Sequence, residues 1–234
     1  ERFSNALGGQ CTDSKMRSGG EGACAPYRRL HLCSHNLETI DTMSTTHKLL
    51  AEVCMAAKYE AQSLIPYHDK YKIHNPDTKS QICTVLARSF ADIGDIIRGR
   101  DLYRGNKQEK KKRDELDENL KTIFGKIYEG LTTENGAQTY YKDDTDKKNF
   151  YRLREDWWTA NRHTVWKAIT CDDDNKLSNA QYFRQTCNDD GTSSRAIHKC
   201  RCKKNDGKNE TDQVPTYFDY VPQYLRWFEE WAED

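Results

Sequence analysis

Glycines and arginines crowd into one stretch, ARSFADIGDIIRGRDLYRGN, residues 87–106. That composition could cradle a phosphate if the glycines let backbone N–H groups converge and a Lys then Ser/Thr opened a helix. Gly94, Gly99 and Gly105 lack that arrangement and no GK[ST] follows, so the nucleotide-loop reading fails. Gly94 reads instead as a point of close helix approach. Two groups offer metal-ligand chemistry: His31-Leu-Cys33-Ser-His35 and His198-Lys-Cys200-Arg-Cys202. Structural zinc wants four ligands in defined pairs, and these cysteines serve better as cystines. GxSxG and HExxH are absent, so no motif supports hydrolysis, and no metal or cofactor is expected. Trp157-Trp158 could stack on a sugar. Successive helical residues diverge by about 100°, however, so core packing is preferred, one ring turned inward and the other filling a seam.

Charge clustering carries more. From Arg98 to Arg113 stand Arg98, Arg100, Arg104, Lys107, Lys110, Lys111, Lys112 and Arg113, opposed only by Asp101 and Glu109. Such a strip could hold a sulfated polysaccharide or phosphates by salt-sensitive contacts. The plainer alternative is a solvated loop and helix start. Lys203, Lys204 and Lys208 form a weaker second patch, and Asn209-Glu210-Thr211 is a glycosylation sequon. The whole chain carries no net charge, so no global field recruits nucleic acid.

The elements that must position these residues follow from composition and period. The 234 residues are 32% charged and have a mean hydropathy of −1.01, yet 11% are aromatic, which fits a folded domain with a very polar surface. No apolar run approaches a membrane span. Glu1 reads as a cut within a longer protein. Nine cysteines, Cys11, Cys24, Cys33, Cys54, Cys83, Cys171, Cys187, Cys200 and Cys202, suggest a disulfide framework in an oxidising, extracellular setting. The odd one is expected to pair upstream of Glu1. Cys171 and Cys187 could close the loop between them. Cys200 and Cys202 cannot easily pair with each other, and could staple a loop to the helices that carry Cys54 and Cys83.

Residues 1–33 read as a disulfide-pinned irregular subdomain and 34–234 as a helical bundle. Ser34 is a plausible cap for a helix over 34–64, with Leu37, Ile40, Leu50, Val53, Ala57 and Leu64 as its stripe and Pro66 as its end. A polar loop over 67–79 follows. Ser80 can cap the next helix, whose stripe is Ile82, Leu86, Phe90, Ile93 and Ile97, with Gly99 as its C-terminal cap. A third helix over 107–131 buries Leu116, Leu120, Ile123, Phe124, Ile127 and Leu131. A fourth, over 148–170, buries Phe150, Leu153, Trp157, Val165 and Ile169. A cysteine-rich loop spans 171–219, with a short helical piece over 180–187. The last helix starts at Pro222 and turns Leu225, Phe228 and Ala232 or Trp231 inward. The fold class is all-α, with long disulfide-braced loops.

The blocks ACAPYRRLHLC (23–33), ARSFADIGDIIRGRDLYRGN (87–106), LREDWWTANRHTVWKAITC (153–171), YFRQTC (182–187), CRC (200–202) and VPTYFDYVPQYLRWFEEWAED (214–234) together resemble the Duffy-binding-like domain. More narrowly they resemble its alpha class, found at the head of the Plasmodium falciparum erythrocyte membrane proteins, the var-encoded surface antigens. The blocks fall in the family's order across nearly the whole chain. The resemblance implies a helical adhesion domain on the outer face of the infected erythrocyte, subject to antigenic variation and met by antibodies, with no enzyme activity. It implies a part in rosetting, with heparan sulfate or heparin, blood-group sugars and complement receptor one among the family's ligands. The alternative it leaves is a structural and antigenic scaffold whose receptor site lies elsewhere in the parent protein. The resemblance implies that an upstream segment, a third helical-hairpin subdomain and membrane-anchoring parts are expected in a longer parent protein. The family also places a disulfide between the helix carrying Cys83 and the segment before the last helix, without saying whether Cys200 or Cys202 is used.

Overall fold

A computed structural model describes residues 24–33, 37, 40, 46–131, 136–144, 149–172, 174–187, 193–204 and 210–233. Its elements are α1 (Tyr27–Leu30), α2 (Thr46–His74), α3 (Ile82–Arg98), α4 (Lys107–Glu129), α5 (Ala137–Tyr140), α6 (Tyr151–Ile169), a 3-10 turn (Phe218–Tyr220) and α7 (Gln223–Glu233). The fold is all-α, as expected. Two isolated β-bridges pair Cys187 with Ser194 and Lys203 with Glu210. Ser34, Cys11, Lys208 and Asn209 lie outside the described residues.

Helix α3 is the axis of the bundle. Every residue from Cys83 to Arg98 is buried. Its apolar positions, Leu86, Phe90, Ile93 and Ile97, meet α2 and α6, and its polar positions, Ser89, Asp92 and Asp95, face α1 and α7. Gly94 lets α6 come close: a Cβ there would lie 2.8 Å from the Trp158 indole. Both Trp157 and Trp158 are core residues, and neither forms an exposed platform. Trp157 packs on Phe124 of α4, and Trp158 donates from Nε1 to Asp219 at 2.9 Å. Helix α3 ends where Gly99 adopts φ 72° and its N–H caps Asp95 and Ile96 carbonyls.

Five readings of the elements need correction. Leu37 and Ile40 are buried but stand outside any helix, because α2 begins only at Thr46. Helix α2 does not stop at Pro66 but continues to His74. A proline within a helix costs about 3 kcal/mol, and burial of Leu64 and Ile65 before it and His68 after it offsets that cost. Ser80 does not cap α3, because its hydroxyl meets His68 Nε2 at 3.2 Å and Gln81 takes the cap position. Residues 180–187 form no helix; Tyr182 is buried there in an extended stretch, its hydroxyl donating to Thr216. In α7 the faces are exchanged. Leu225 and Phe228 are exposed, at 42% and 73%, while Gln223, Arg226, Trp227 and Glu230 are buried.

The long loop after α6 is fastened by two disulfides, Cys83–Cys200 and Cys187–Cys202. The CxC segment is therefore a staple, but only one arm reaches a helix. Cys187 joins Cys202, so it does not close a loop with Cys171, and Cys54 takes no part in the staple. Cys54 carries a free thiol whose pKa burial pushes up to about 11. Cys24 is disulfide-bonded.

Candidate adhesion site

The basic strip begins inside the core. Arg98 is 1% exposed. It donates to Asp95 at 2.8 Å, to the Asp219 carbonyl and to Glu155 at 3.3 Å. It braces α3 and the 3-10 turn and presents nothing to a ligand. Arg113 is also turned inward, 3.9 Å from Asp101 and against the Tyr103 ring. Burial, reinforced by the neighbouring Arg29, pushes its pKa down to about 10. Both are withdrawn from the expected binding set, Arg98 by the carboxylates and carbonyl it donates to and Arg113 by packing on the Tyr103 ring beside Asp101.

The other members face solvent. Arg100 is exposed and pairs with Glu155 at 2.9 Å. Arg104 is half-buried in the loop that follows. Helix α4 then opens with a full capping box: Asn106 Oδ1 accepts from the N–H groups of Gln108 and Glu109, and Glu109 Oε2 accepts from the Asn106 N–H at 2.7 Å. Directly after this cap stand Lys107, Lys110, Lys111 and Lys112, all exposed. Lys107, Lys110 and Lys111 line an open groove along α4 with Asp114 and Glu115. Cations at a helix N-terminus oppose the helix dipole, at a cost of about 0.3–1 kcal/mol each. The helix dipole therefore gives no reason for Lys107 and Lys110 to stand in the first turn, while Lys111 is paired with Glu115 at 3.8 Å. The combined field of the lysines with the helix dipole is one that an anion would relieve.

The second patch does not join the first. Arg100 and Glu155 mark the N-terminal end of α6, whereas Arg201, next to Cys202 and Lys203, donates to Thr170 and the Lys167 carbonyl at the other end. Fifteen helical residues separate these ends, roughly 20 Å. Lys203 is half-buried, bridged to Glu210, and Lys204 is exposed.

Beneath the strip lies a lattice of buried charge that sequence reasoning missed. Arg28 donates to Ser89, to Asp92 at 2.8 Å and, through two nitrogens, to Glu230. Arg226 donates to Asp92 at 2.8 Å and Asp95 at 2.6 Å. Arg29 pairs with Asp101 and covers the Tyr103 ring. Burial alone would raise Asp92, but Arg28 and Arg226 outweigh it and hold the carboxyl well below the usual range. Asp95 goes the other way: burial exceeds the pull of Arg226 and Arg98 and pushes it up to about 6. The signal for this lattice was present as polar residues at helical spacing, Ser89, Asp92 and Asp95 on one helix and Gln223, Arg226 and Glu230 on another.

Of the two candidate metal groups, the one that holds His35 lies partly outside the described residues, and the other loses its thiolates. Cys200 and Cys202 are both oxidised in disulfides and cannot act as thiolate ligands. Among the described residues, no group of three His, Cys, Asp or Glu is placed to hold an ion.

A helical bundle with cystine-braced loops and a solvent-facing basic strip is the architecture of a recognition domain, and comparison with known proteins gives it a family. Residues 22–226 match the Duffy binding domain, and the chain belongs to that family. Among solved structures it is similar to the NTS-DBL1(alpha-1) domain of Plasmodium falciparum membrane protein 1 (PfEMP1) from the varO strain, at 41% identity and a TM-score of 0.75 over 99% of this chain and 48% of that one. The alpha type that the sequence blocks imply is thereby supported directly. The DBLbeta domain of PfEMP1 IT4var13, solved bound to ICAM-1, is 33% identical, with a TM-score of 0.67 over 99% of this chain and 49% of that one. Region II of Plasmodium falciparum Erythrocyte Binding Antigen 140, solved with sialyllactose, shares the fold at 22% identity and a TM-score of 0.53, over 99% of this chain and 29% of that one. The chain thus spans about half the length of the PfEMP1 domains it matches. Among curated proteins none matches. Duffy-binding domains are adhesion domains, not enzymes.

Proposed function

We propose that this domain is a host-cell adhesion module of a variant surface antigen, and that it binds a sulfated glycan of the heparan sulfate class on the erythrocyte surface. The contacts assigned to it are Arg100, Arg104, Lys107, Lys110, Lys111 and Lys112. The observation that carries this reading is the run of exposed lysines at the N-terminal end of α4, where they oppose the helix dipole. Lys203 and Lys204 are assigned a separate, weaker contact. The similarity to a PfEMP1 domain bound to ICAM-1 supports receptor recognition as the family's work. Presentation outside the infected erythrocyte accords with the disulfides. No helix among the described residues is long and apolar enough to cross a membrane, so anchoring is assigned to other parts of a parent protein.

The test is retention of the oxidised domain on immobilised heparin across a salt gradient. Lys110→Glu, Lys111→Glu and Lys112→Glu together should bring elution to much lower salt and reduce the salt dependence of binding. Unchanged elution would remove the strip and favour the second reading, a structural and antigenic scaffold whose receptor site lies elsewhere.

A further inference from the structure

The segment from Arg100 to Arg104 is a strap between two left-handed glycines. Gly99 has φ 72° and Gly105 has φ 71°, values that ordinary side chains rarely adopt. Glycine at both ends leaves the local backbone free to take many courses. The middle of the strap supplies the constraint. Leu102 N–H donates to Gln223 Oε1 at 2.7 Å. Gln223 Nε2 donates to Asp101 Oδ1 at 2.9 Å and to Asp92 Oδ1 at 3.1 Å. One amide side chain therefore ties α7 to the strap twice and to α3 once. Gln223 is 4% exposed, so losing its amide would leave the Leu102 N–H without this acceptor and Asp101 Oδ1 without this donor, while Asp92 Oδ1 would keep Arg226.

The surroundings reinforce this grip. Arg29 pairs with Asp101, and the guanidinium carbons of Arg29 and Arg113 each lie 5.0 Å from the Tyr103 ring centre. The strap also leads straight into the Asn106 cap that starts α4. Whatever sets Asp101, Leu102 and Tyr103 therefore sets Arg100 and Arg104, and the direction from which the α4 lysines are approached.

We propose that Gln223 is a positioning residue through which α7 holds the basic strip in its binding geometry, an inference that rests on the sulfated-glycan reading above. Gln223 has no charge and does not reach the surface, so it contributes nothing to the field. Its effect on binding is geometric, and the C-terminal helix and the polyanion contacts become one coupled unit.

Gln223→Met keeps the volume and removes all three bonds. Affinity for a heparin oligosaccharide of defined length should fall on the order of tenfold. A core variant remote from the strap, Leu177→Val or Leu177→Ala, whichever matches the melting temperature of Gln223→Met in the same buffer, should keep wild-type affinity. A merely structural role for Gln223 predicts equal losses in the two variants at matched stability, and that result would overturn the proposal. If the lysine charge reversals abolish retention but folded Gln223→Met binds as wild type, positioning fails and the strip stands. If the lysine reversals change nothing, the glycan reading itself falls. Hydrogen exchange on the unmodified protein decides the coupling even if the variant does not fold. The Leu102 amide should lose protection together with the amides of α7 and ahead of those of α4. Exchange of Leu102 independent of α7 would refute the link.

Discussion

The bridge between Cys83 and Cys200 joins residues 117 apart in sequence, and that between Cys187 and Cys202 joins residues 15 apart. A cross-link restricts the unfolded chain by an amount that grows with the logarithm of the loop. The longer bridge should contribute about 5 kcal/mol and the shorter about 3 kcal/mol. The longer bridge also holds an awkward turn. His198, Lys199 and Cys200 have φ of 60°, 52° and 54°, a left-handed run with no glycine. Each such residue costs about 1–2 kcal/mol. Lys199 N–H donates to the Leu177 carbonyl at 2.8 Å and Cys200 N–H to the Ala180 carbonyl at 3.2 Å. Without the bridge, those bonds must hold the turn against its strain. The perturbation is Cys83→Ala with Cys200→Ala, the other disulfides kept oxidised. Equilibrium unfolding in urea, followed by tryptophan fluorescence, reads the result. For a slope near 3 kcal/mol per molar, the midpoint should drop by about 2 M, and the Cys187→Ala, Cys202→Ala pair should lower it by about 1 M. If the two pairs shift the midpoint equally, or the longer loop shifts it less, the loop-entropy reasoning is wrong and relief of the strained turn dominates.

Gly94→Ala should destabilise by about 1–3 kcal/mol in thermal unfolding, because its Cβ would meet the Trp158 indole at 2.8 Å. Arg226→Met should cost about 3–5 kcal/mol, since Asp92 and Asp95 would stay buried with one cation fewer, and adding Asp92→Asn should recover part of that loss. Stability should depend on pH in two opposed steps. Asp95, raised to about 6, lets the folded state bind a proton that the unfolded state releases, so the melting temperature should rise as pH falls from 7 toward 5, and Asp95→Asn should flatten this window. Asp92, held far below the usual range, contributes stability that is present above about pH 4 and lost as pH falls further, so calorimetry should show a decline there in both proteins.

The apolar framework was legible because helical period and burial agree over α3, α4 and α6. Leu86, Phe90, Ile93 and Ile97 are at 0% exposure, as are Leu120, Ile123 and Phe124. Gly99 could be placed as a cap and Gly94 as a close approach because each glycine had one physical use at its position. Pro66 misled, since a proline's local cost is visible in sequence while the burial that offsets it on both sides is not. The disulfide pairs were only half legible: a CxC staple follows from geometry, but its two partners depend on which chain segments the loop crosses. For the basic strip, sequence could count the charges but could not sort them. Arg98 and Arg113 are turned inward and Lys110 and Lys111 outward, a difference set by what packs against them and not by position in the basic run.

Helix α7 shows why that sorting fails. Of its apolar residues Tyr224, Leu225 and Phe228 lie outward and Trp227 lies inward, beside Gln223, Arg226 and Glu230. An amphipathic rule assigns the inner face to the apolar stripe because it assumes an apolar neighbour. Here the neighbour is the Ser89, Asp92 and Asp95 face of α3, already deep in the bundle. A buried carboxylate without a partner costs more than an exposed leucine. The docked face of α7 is therefore chosen by what α3 lacks. The same demand draws Arg28 and Glu230 into one lattice from opposite ends of the described chain. A buried ion-pair lattice adds little net stability, but it tolerates few alternative arrangements of its members. Its work in this domain is to fix geometry: the start of the fold, the last helix and the strap before α4 must all be in register for any one of them to be satisfied. The exposed lysines at the start of α4 could then vary freely, while Asp101, Leu102 and Gln223 hold the strap before them in place.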